Sequence, residues 1–199
     1  MTLVKVCGIT NIEDALAAAR AGADYLGFVF AESPRRIEAE EAAEIARALP
    51  ARIRKVGVFV DADPEGIRSI SKRVGLDLVQ LHGEETAEDA RALDLPVLKA
   101  FRIERDDDLE RAAAFGGDPW LLDGPKEGRV DLGIAAKASG RFFLAGGLDP
   151  GNVLEALEKV RPHGVDVARG VEARPGRKDP GAMREFVEKV RSWDAARAR

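Results

Sequence analysis

The segment LVKVCGITNIEDALAAARAGADYLGFVF, residues 3–30, contains the structural unit from which the rest of the chain is built. It begins with a short run of mostly apolar residues, continues as an alanine- and charge-rich stretch, and ends in a second apolar run. Short apolar runs bounded by turn residues predict buried strands, and the middle stretch is typical of a helix. Asn11 is a candidate helix N-cap and Gly22 a candidate C-terminal glycine. The segment therefore predicts a strand, a helix and a second strand.

The same unit recurs along the whole chain, with apolar runs that start 19 to 30 residues apart. This spacing fits a strand of ~5 residues, a helix of ~11 and two short loops. Eight evenly spaced units predict an α/β fold, a closed (β/α)₈ TIM barrel, rather than the alternative of an open doubly wound sheet. The predicted strands are LVKV from Leu3, YLGFVF from Tyr25, KVGVFV from Lys55, LVQLH from Leu78, VLKAF from Val97, PWLLD from Pro119, FFLAG from Phe142 and VDVA from Val165.

Helical patterns separate these runs, most clearly in IEDALAAARAG, EAEEAAEIARAL, PEGIRSISKRV and GNVLEALEKVR. Asp63–Pro64 and Asp149–Pro150 are predicted helix starts, because proline is tolerated in a first turn. With 199 residues the chain is short for such a barrel, which typically has ~250, so we expect short loops. No linker is visible, and we predict a single catalytic domain over residues 1–199.

Composition narrows the range of partners and compartments. The net charge of −4 gives no electrostatic basis for binding nucleic acid or an anionic membrane surface. No stretch approaches the ~20 apolar residues of a membrane span. Cys7 is the single cysteine, so no internal disulfide can form, and a reducing cytoplasm is the simple interpretation. The sequence carries no signal for the oligomeric state.

Chemically distinctive residues fall where the predicted strands end, and active sites of such barrels lie at the C-terminal ends of the strands. Cys7 closes the first strand and Asp123 the sixth, while Gly146–Gly147 follow the seventh and Arg169–Gly170 the eighth. Loops after strands 7 and 8 often bind phosphate, since glycines let backbone N–H groups approach the anion. Tight turns alone are the alternative. Two such loops at these two positions favour a phosphate site.

Nine motifs then occur in a fixed order: KVCGIT, GFVF, SPRRI, VGVFV, QLHGEE, LLD, AGGLDPGNV, VDVARGVE and PGRKD. From residue 4 to about residue 179 the chain resembles the phosphoribosylanthranilate isomerases. The resemblance implies an Amadori rearrangement of a small phosphorylated substrate in tryptophan biosynthesis. An aminoaldose, phosphoribosylanthranilate, becomes the aminoketose carboxyphenylamino-deoxyribulose phosphate. It also implies that neither a metal nor an organic cofactor is needed.

The resemblance assigns the two proton-transfer groups. Cys7 matches the general base, which requires a thiolate and hence a lowered pKa; an inert buried cysteine is the alternative. Lys5 points the same way along the strand and is expected to stabilise the thiolate. Asp123 matches the general acid, and the preceding Leu121 and Leu122 indicate an apolar setting that raises a carboxyl pKa. A helix N-cap is the alternative for Asp123.

The resemblance also assigns binding groups. Arg35 matches the arginine that faces the anthranilate carboxylate, although its neighbour Arg36 could fill that role, and a solvated basic loop is the alternative. Asp166 either contacts ribose hydroxyls or pairs with Lys5, because the eighth strand closes against the first. We expect His82 to support the site or the fold rather than to react.

The chain departs from the family pattern twice. Ala168–Arg169 stand where the family often has two serines, and the loop after the sixth strand, GPKEGRVDLG, is short. Lys126, Glu127 and Arg129 in that loop favour solvent over an apolar cover, which predicts an open site. A histidine-pathway isomerase and a barrel that only binds an anionic metabolite are the rival functions.

Overall fold

The computed structural model describes residues 1–126 and 128–197. Its eight parallel strands form a closed barrel in chain order, with the last strand paired to the first. The predicted (β/α)₈ barrel is therefore confirmed. The barrel strands are β1 (Leu3–Cys7), β2 (Tyr25–Val29), β3 (Arg54–Phe59), β4 (Leu78–Leu81), β5 (Val97–Arg102), β6 (Trp120–Asp123), β7 (Phe142–Leu144) and β8 (Gly164–Val167).

Each strand start lies within one residue of its prediction, and most differences fall at the C-terminal ends. His82 and Ala145 follow β4 and β7 instead of belonging to them. The helices are α1 (Ile12–Ala21), α2 (Ala39–Ala48), α3 (Pro64–Val74), α4 (Ala87–Arg91), α5 (Asp107–Phe115), α6 (Leu132–Ala135), α7 (Val153–Val160) and α8 (Pro180–Arg197). Among the described residues no helix has the length and apolarity to cross a membrane.

Alternating strand side chains build two apolar regions. Outward-facing residues such as Leu26 and Phe28 pack against the helices in the larger cluster. Inward-facing residues fill the barrel itself, and this separate cluster is formed by Leu98, Ala100, Leu121, Phe143 and Ala145. The barrel is thus a filled core, and its chemistry is confined to the rim above that core.

Local signals explain most helix ends. The Asn11 side chain accepts the Asp14 N–H, and Gly22 adopts a left-handed φ of 100°. Asp63 caps α3, with Pro64 in its first turn, as predicted. The predicted start at Asp149–Pro150 is wrong, because α7 begins at Val153. The Asp149 carboxylate instead accepts the Gly151 N–H in a turn ahead of the helix.

A small hairpin, which the sequence did not predict, lies outside the barrel. It consists of β9 (Glu172–Arg174) and β10 (Arg177–Lys178), paired antiparallel. The Thr10 hydroxyl donates to the Gly176 carbonyl, and the Lys178 N–H donates to Asp14 Oδ2 at 2.8 Å. These bonds fix the hairpin to the segment that follows β1.

Candidate active site

The end of β1 brings a thiol and an ammonium group together. Cys7 stands opposite Gly27 in the parallel register of β1 and β2. The position that a Cβ atom on Gly27 would occupy is 2.7 Å from Cys7 Sγ and 3.2 Å from Lys5 Nζ. Both atoms therefore lie over the same glycine, as expected for alternate residues of one strand. The prediction that Lys5 and Cys7 point the same way is confirmed.

Lys5 forms an ion pair inside the barrel. Its Nζ atom lies 2.8 Å from Asp166 Oδ1, and its side chain is fully buried. Burial lowers the pKa of Lys5, but the charges of Asp166 and Cys7 and hydrogen bonds to both raise it more, so the net pKa is raised. The Lys5–Asp166 ion pair, one of the two expectations for Asp166, is confirmed.

The same burial governs the Cys7 thiol. Burial is the largest influence and raises its pKa above the ordinary 9.0, and the Asp166 charge adds to the rise. The charges of Lys5 and Lys178 act in the opposite direction without reversing it. The expectation of a lowered pKa is therefore wrong, because sequence shows the nearby lysine but not the depth at which the sulfur lies.

Arg35 reaches back over the end of β1. The Cβ position of Gly8 lies only 2.5 Å from Arg35 Cδ, so glycine at residue 8 leaves space for the arginine side chain. Arg35 donates from Nε and Nη2 to the two carboxylate oxygens of Glu172, each at 2.7 Å. Hydrogen bonding to Glu172 is the main reason why the pKa of Arg35 is raised.

Arg36 points elsewhere. Its side chain is 56% exposed, and its Nη2 atom lies 3.2 Å from Glu38 Oε1, directly ahead of α2. The Arg36 N–H donates to the Ser33 carbonyl in a turn, and the residue of this turn that points toward the rim is Arg35. Of the two candidate arginines, we therefore keep Arg35 for the site.

Sequence reasoning missed Glu172 and Lys178, two charged residues beside this cluster. Lys178 Nζ lies 3.1 Å from Glu172 Oε1 and donates to the Ala168 carbonyl at 3.0 Å. Burial, the largest influence, lowers the pKa of Lys178, although Glu172 opposes it. Both residues fall in the quoted motif segments VDVARGVE and PGRKD, and this is the signal that could have identified them.

Asp123 at the end of β6 faces His82. The His82 Nε2 atom lies 3.2 Å from Asp123 Oδ2, and the two side chains are 29% and 26% exposed. Gln80 Nε2 lies 3.0 Å from His82 Nδ1. The apolar setting expected for Asp123 is wrong: Leu121 belongs to the core below it, and the carboxyl itself contacts an imidazole.

The loops after β6 and β7 pack against each other. Gly146 and Gly147 have φ values of +94° and +71°. A Cβ atom on Gly146 would lie 2.3 Å from the Gly124 nitrogen, and one on Gly147 would lie 2.8 Å from the Gly128 carbonyl oxygen. Within residues 1–126 and 128–197, the amides of Gly146 and Gly147 have no hydrogen-bond acceptor. Glu127 of the short loop lies outside the described residues.

Arg169 and Gly170 begin the 3₁₀ turn Arg169–Val171 directly after β8. The first N–H groups of such a turn have no internal acceptor. A Cβ atom on Gly170 would lie 2.0 Å from the Leu148 carbonyl oxygen, so the loops after β7 and β8 also touch. The four phosphate candidates therefore lie on two adjoining loops. Among the described residues no three His, Cys, Asp or Glu side chains form a group able to hold a metal.

Fold and site together define a class: a (β/α)₈-barrel enzyme with a cysteine and an aspartate at two strand ends and glycine-bearing loops after strands 7 and 8. The chain matches the family N-(5'-phosphoribosyl)anthranilate (PRA) isomerase over residues 4–189. It belongs to that enzyme family.

This chain is similar to individual members of the family over nearly its full length. The N-(5'-phosphoribosyl)anthranilate isomerase of Geobacter sulfurreducens is 46% identical over 97% of this chain and 100% of the relative. The crystal structure of phosphoribosyl anthranilate isomerase from Thermotoga maritima superimposes with a TM-score of 0.92 at 40% identity, covering 96% of this chain and 100% of that one. A family structure in complex with reduced 1-(o-carboxyphenylamino)-1-deoxyribulose 5-phosphate has a TM-score of 0.89 at 42% identity, with 96% and 100% covered.

Proposed function

We propose that the chain catalyses the Amadori rearrangement of N-(5-phosphoribosyl)anthranilate to 1-(2-carboxyphenylamino)-1-deoxyribulose 5-phosphate, a step of tryptophan biosynthesis. One observation carries the proposal. The rim of one barrel holds a cysteine thiol among lysines and, on another strand end, a carboxyl paired with an imidazole. A related family structure was solved with the reduced form of this aminoketose.

Asp123 begins the reaction as general acid. It gives a proton to the ribose ring oxygen while the anthranilate nitrogen supplies electrons, so the C1–O bond breaks and a C1=N iminium forms. His82 Nε2–H, 3.2 Å away, then stabilises the carboxylate that Asp123 becomes. The imidazole also fixes the orientation of the acid before the proton moves.

Cys7 completes the rearrangement as general base. Its thiolate removes the proton from C2, the electrons neutralise the iminium, and the resulting enolamine tautomerises to the ketone. Proton exchange with solvent then returns Cys7 to the thiolate and Asp123 to the acid. The product is an isomer of the substrate, so atoms and electrons balance without an oxidant or reductant. Lys5 and Lys178 lower the energy of the thiolate, which burial alone disfavours.

Three further contacts orient the substrate. Arg35 binds the anthranilate carboxylate, a planar anion that suits a guanidinium fork. Backbone N–H groups of Gly146, Gly147 and Gly170 bind the phosphate, with Arg169 adding charge. Asp166 uses one oxygen for Lys5 and offers the other to a ribose hydroxyl. We place this reaction in the cytoplasm, where the Cys7 thiol stays reduced.

One assay tests the function. The protein is incubated with freshly generated phosphoribosylanthranilate, and the loss of substrate fluorescence is followed. We expect decay far faster than the uncatalysed reaction. Decay at the uncatalysed rate contradicts the proposal, and turnover of the histidine-pathway aminoaldose instead would assign the chain to the rival isomerase.

A further inference from the structure

Glu172 connects two cations of the site through a single carboxylate. Its Oε1 atom accepts from Arg35 Nε at 2.7 Å and from Lys178 Nζ at 3.1 Å, and its Oε2 atom accepts from Arg35 Nη2 at 2.7 Å. The Glu172 side chain is 5% exposed, so water competes little for these bonds. Burial acts to raise the pKa of Glu172, but the hydrogen bonds from Arg35 and the charge of Lys178 together lower it more, so the net pKa is lowered.

The geometry of the pair leaves one edge of the Arg35 guanidinium open. The group carries five N–H bonds, and Glu172 takes the Nε hydrogen and one Nη2 hydrogen. The second Nη2 hydrogen and an Nη1 hydrogen form the other edge, which matches a second planar carboxylate. Within the described part of the chain, Arg35 Nη1 has no acceptor.

We propose that Glu172 is a positioning residue: it holds the Arg35 guanidinium so that the free edge receives the carboxylate of the substrate. This inference rests on the proposed function, because that function supplies the carboxylate. An unheld arginine would lose more side-chain freedom on binding, so the prior ion pair lowers the entropic cost of recognition.

The surroundings keep Glu172 itself in place. The hairpin that carries it is fixed at Gly176 by Thr10 and at Lys178 by Asp14. Thr10 and Asp14 follow β1, and the Arg35 side chain crosses that same segment at Gly8. The hairpin, the segment from Gly8 to Asp14 and Arg35 are therefore connected to one another at the C-terminal rim of the barrel.

The test uses Glu172→Gln in the full chain. Glutamine has the same shape but can accept only one of the two guanidinium bonds. We expect the KM for phosphoribosylanthranilate to rise about tenfold, as for loss of a charged hydrogen bond. The kcat should fall by less than about threefold, because Lys178 keeps its charge and its bond to the Ala168 carbonyl. Competitive inhibition by inorganic phosphate should stay unchanged, because phosphate binds the loops after β7 and β8. Glu172→Asp, which keeps the charge, should raise KM by a smaller factor.

Glu13→Gln is the matched control. Glu13 is an exposed carboxylate that pairs with Arg177 of the same hairpin at 3.9 Å, and its loss should leave KM unchanged. If the wild-type protein is active and Glu172→Gln has the wild-type KM, the inference is overturned and the proposed function stands. If the wild-type protein is inactive, the proposed function and the inference are both overturned. Parallel weakening of phosphate inhibition and thermal stability also overturns it, since that pattern indicates a general structural role. If Glu172→Gln does not fold, wild-type KM in Glu172→Asp overturns the inference.

Discussion

The Sγ atom of Cys7 lies 2.7 Å from the point that a Cβ atom on Gly27 would occupy. The same point is 3.2 Å from Lys5 Nζ, so a side chain at residue 27 must displace the thiol or the ammonium group. Gly27→Ala should therefore lower kcat by at least about tenfold and the free energy of unfolding by about 1–3 kcal/mol, as for an overpacked core. Steady-state kinetics and urea denaturation measure the two effects.

Gly66→Ala is the matched control for that substitution. Gly66 lies in the first turn of α3, and the nearest atom to its Cβ position is Asp63 Oδ2 at 3.9 Å. We expect wild-type kcat and equal or slightly higher stability, because alanine restricts the unfolded chain more than glycine. Full activity in Gly27→Ala would show that the thiol does not need its present position.

The pH dependence of activity follows from the burial of Cys7. Burial and the Asp166 charge hold the pKa of the thiol above 9.0, against the opposing charges of Lys5 and Lys178. The reactive form is the thiolate, whose population grows as the pH rises toward that pKa. The need for the thiolate makes kcat/KM rise with pH on the acidic side, and the need for a protonated Asp123 makes it fall on the alkaline side, so the profile should be bell-shaped.

Cys7→Ala should lose the rising limb of the profile and about 10²–10⁴-fold in kcat, with a much smaller change in KM. Circular dichroism at each pH shows that both proteins remain folded. A wild-type profile without a rising limb on its acidic side would mean that another group supplies the base.

The sequence predicted the barrel better than the contacts at its rim. Periodicity is a local property, so the strand starts at Leu3, Tyr25 and Leu78 are as predicted. The bond between Arg35 and Glu172 joins residues 137 positions apart, and no local pattern reports it. The sequence does not distinguish two adjacent arginines. The turn ahead of α2 directs Arg35 toward the rim and Arg36 toward solvent. The pKa of Cys7 depends on how deeply the sulfur is buried, and that burial exists only in the folded chain.

The contact between Asp123 and His82 predicts that substitutions of the two residues lower kcat by different factors. Asp123→Asn removes the proton that opens the ring, so kcat should fall about 10²–10⁴-fold. His82→Ala leaves the acid in place and removes only the group 3.2 Å from it, so its kcat should fall less. Single-turnover rates separate these effects from product release.

His163→Asn is the control for losing an imidazole. His163 precedes β8 at the opposite end of the barrel and packs edge-on against Phe143, with ring centroids 6.1 Å apart. Its replacement should affect stability while sparing kcat. Equal kcat losses in His82→Ala and Asp123→Asn would contradict a supporting role for His82.

The phosphate loops predict competitive inhibition by inorganic phosphate or sulfate. Arg169→Ala should raise KM and the phosphate inhibition constant while largely sparing kcat, because the anion lies away from the bonds that change. Arg174→Ala, at an exposed residue of the neighbouring hairpin, controls for the loss of one positive charge. A crystal grown in sulfate with the anion elsewhere, and with the cleft between Gly146–Gly147 and Arg169–Gly170 empty, would contradict the assignment.

The short loop after β6 is bonded to the loop after β7, and this contact predicts which step limits turnover. The Val130 N–H donates to the Gly146 carbonyl at 3.0 Å, and Arg129 Nη2 lies 2.9 Å from Asp149 Oδ2. A segment held down in this way cannot close over bound substrate as a long flexible lid does, so product release should be fast and kcat should depend little on solvent viscosity.

Grafting a longer glycine-rich loop between Gly124 and Val130 should lower KM and make kcat sensitive to sucrose. A polymeric viscogen, which leaves small-molecule diffusion nearly unchanged, is the control. Strong sucrose dependence in the wild-type enzyme would mean that a different loop, such as the one bearing Arg35, acts as the lid.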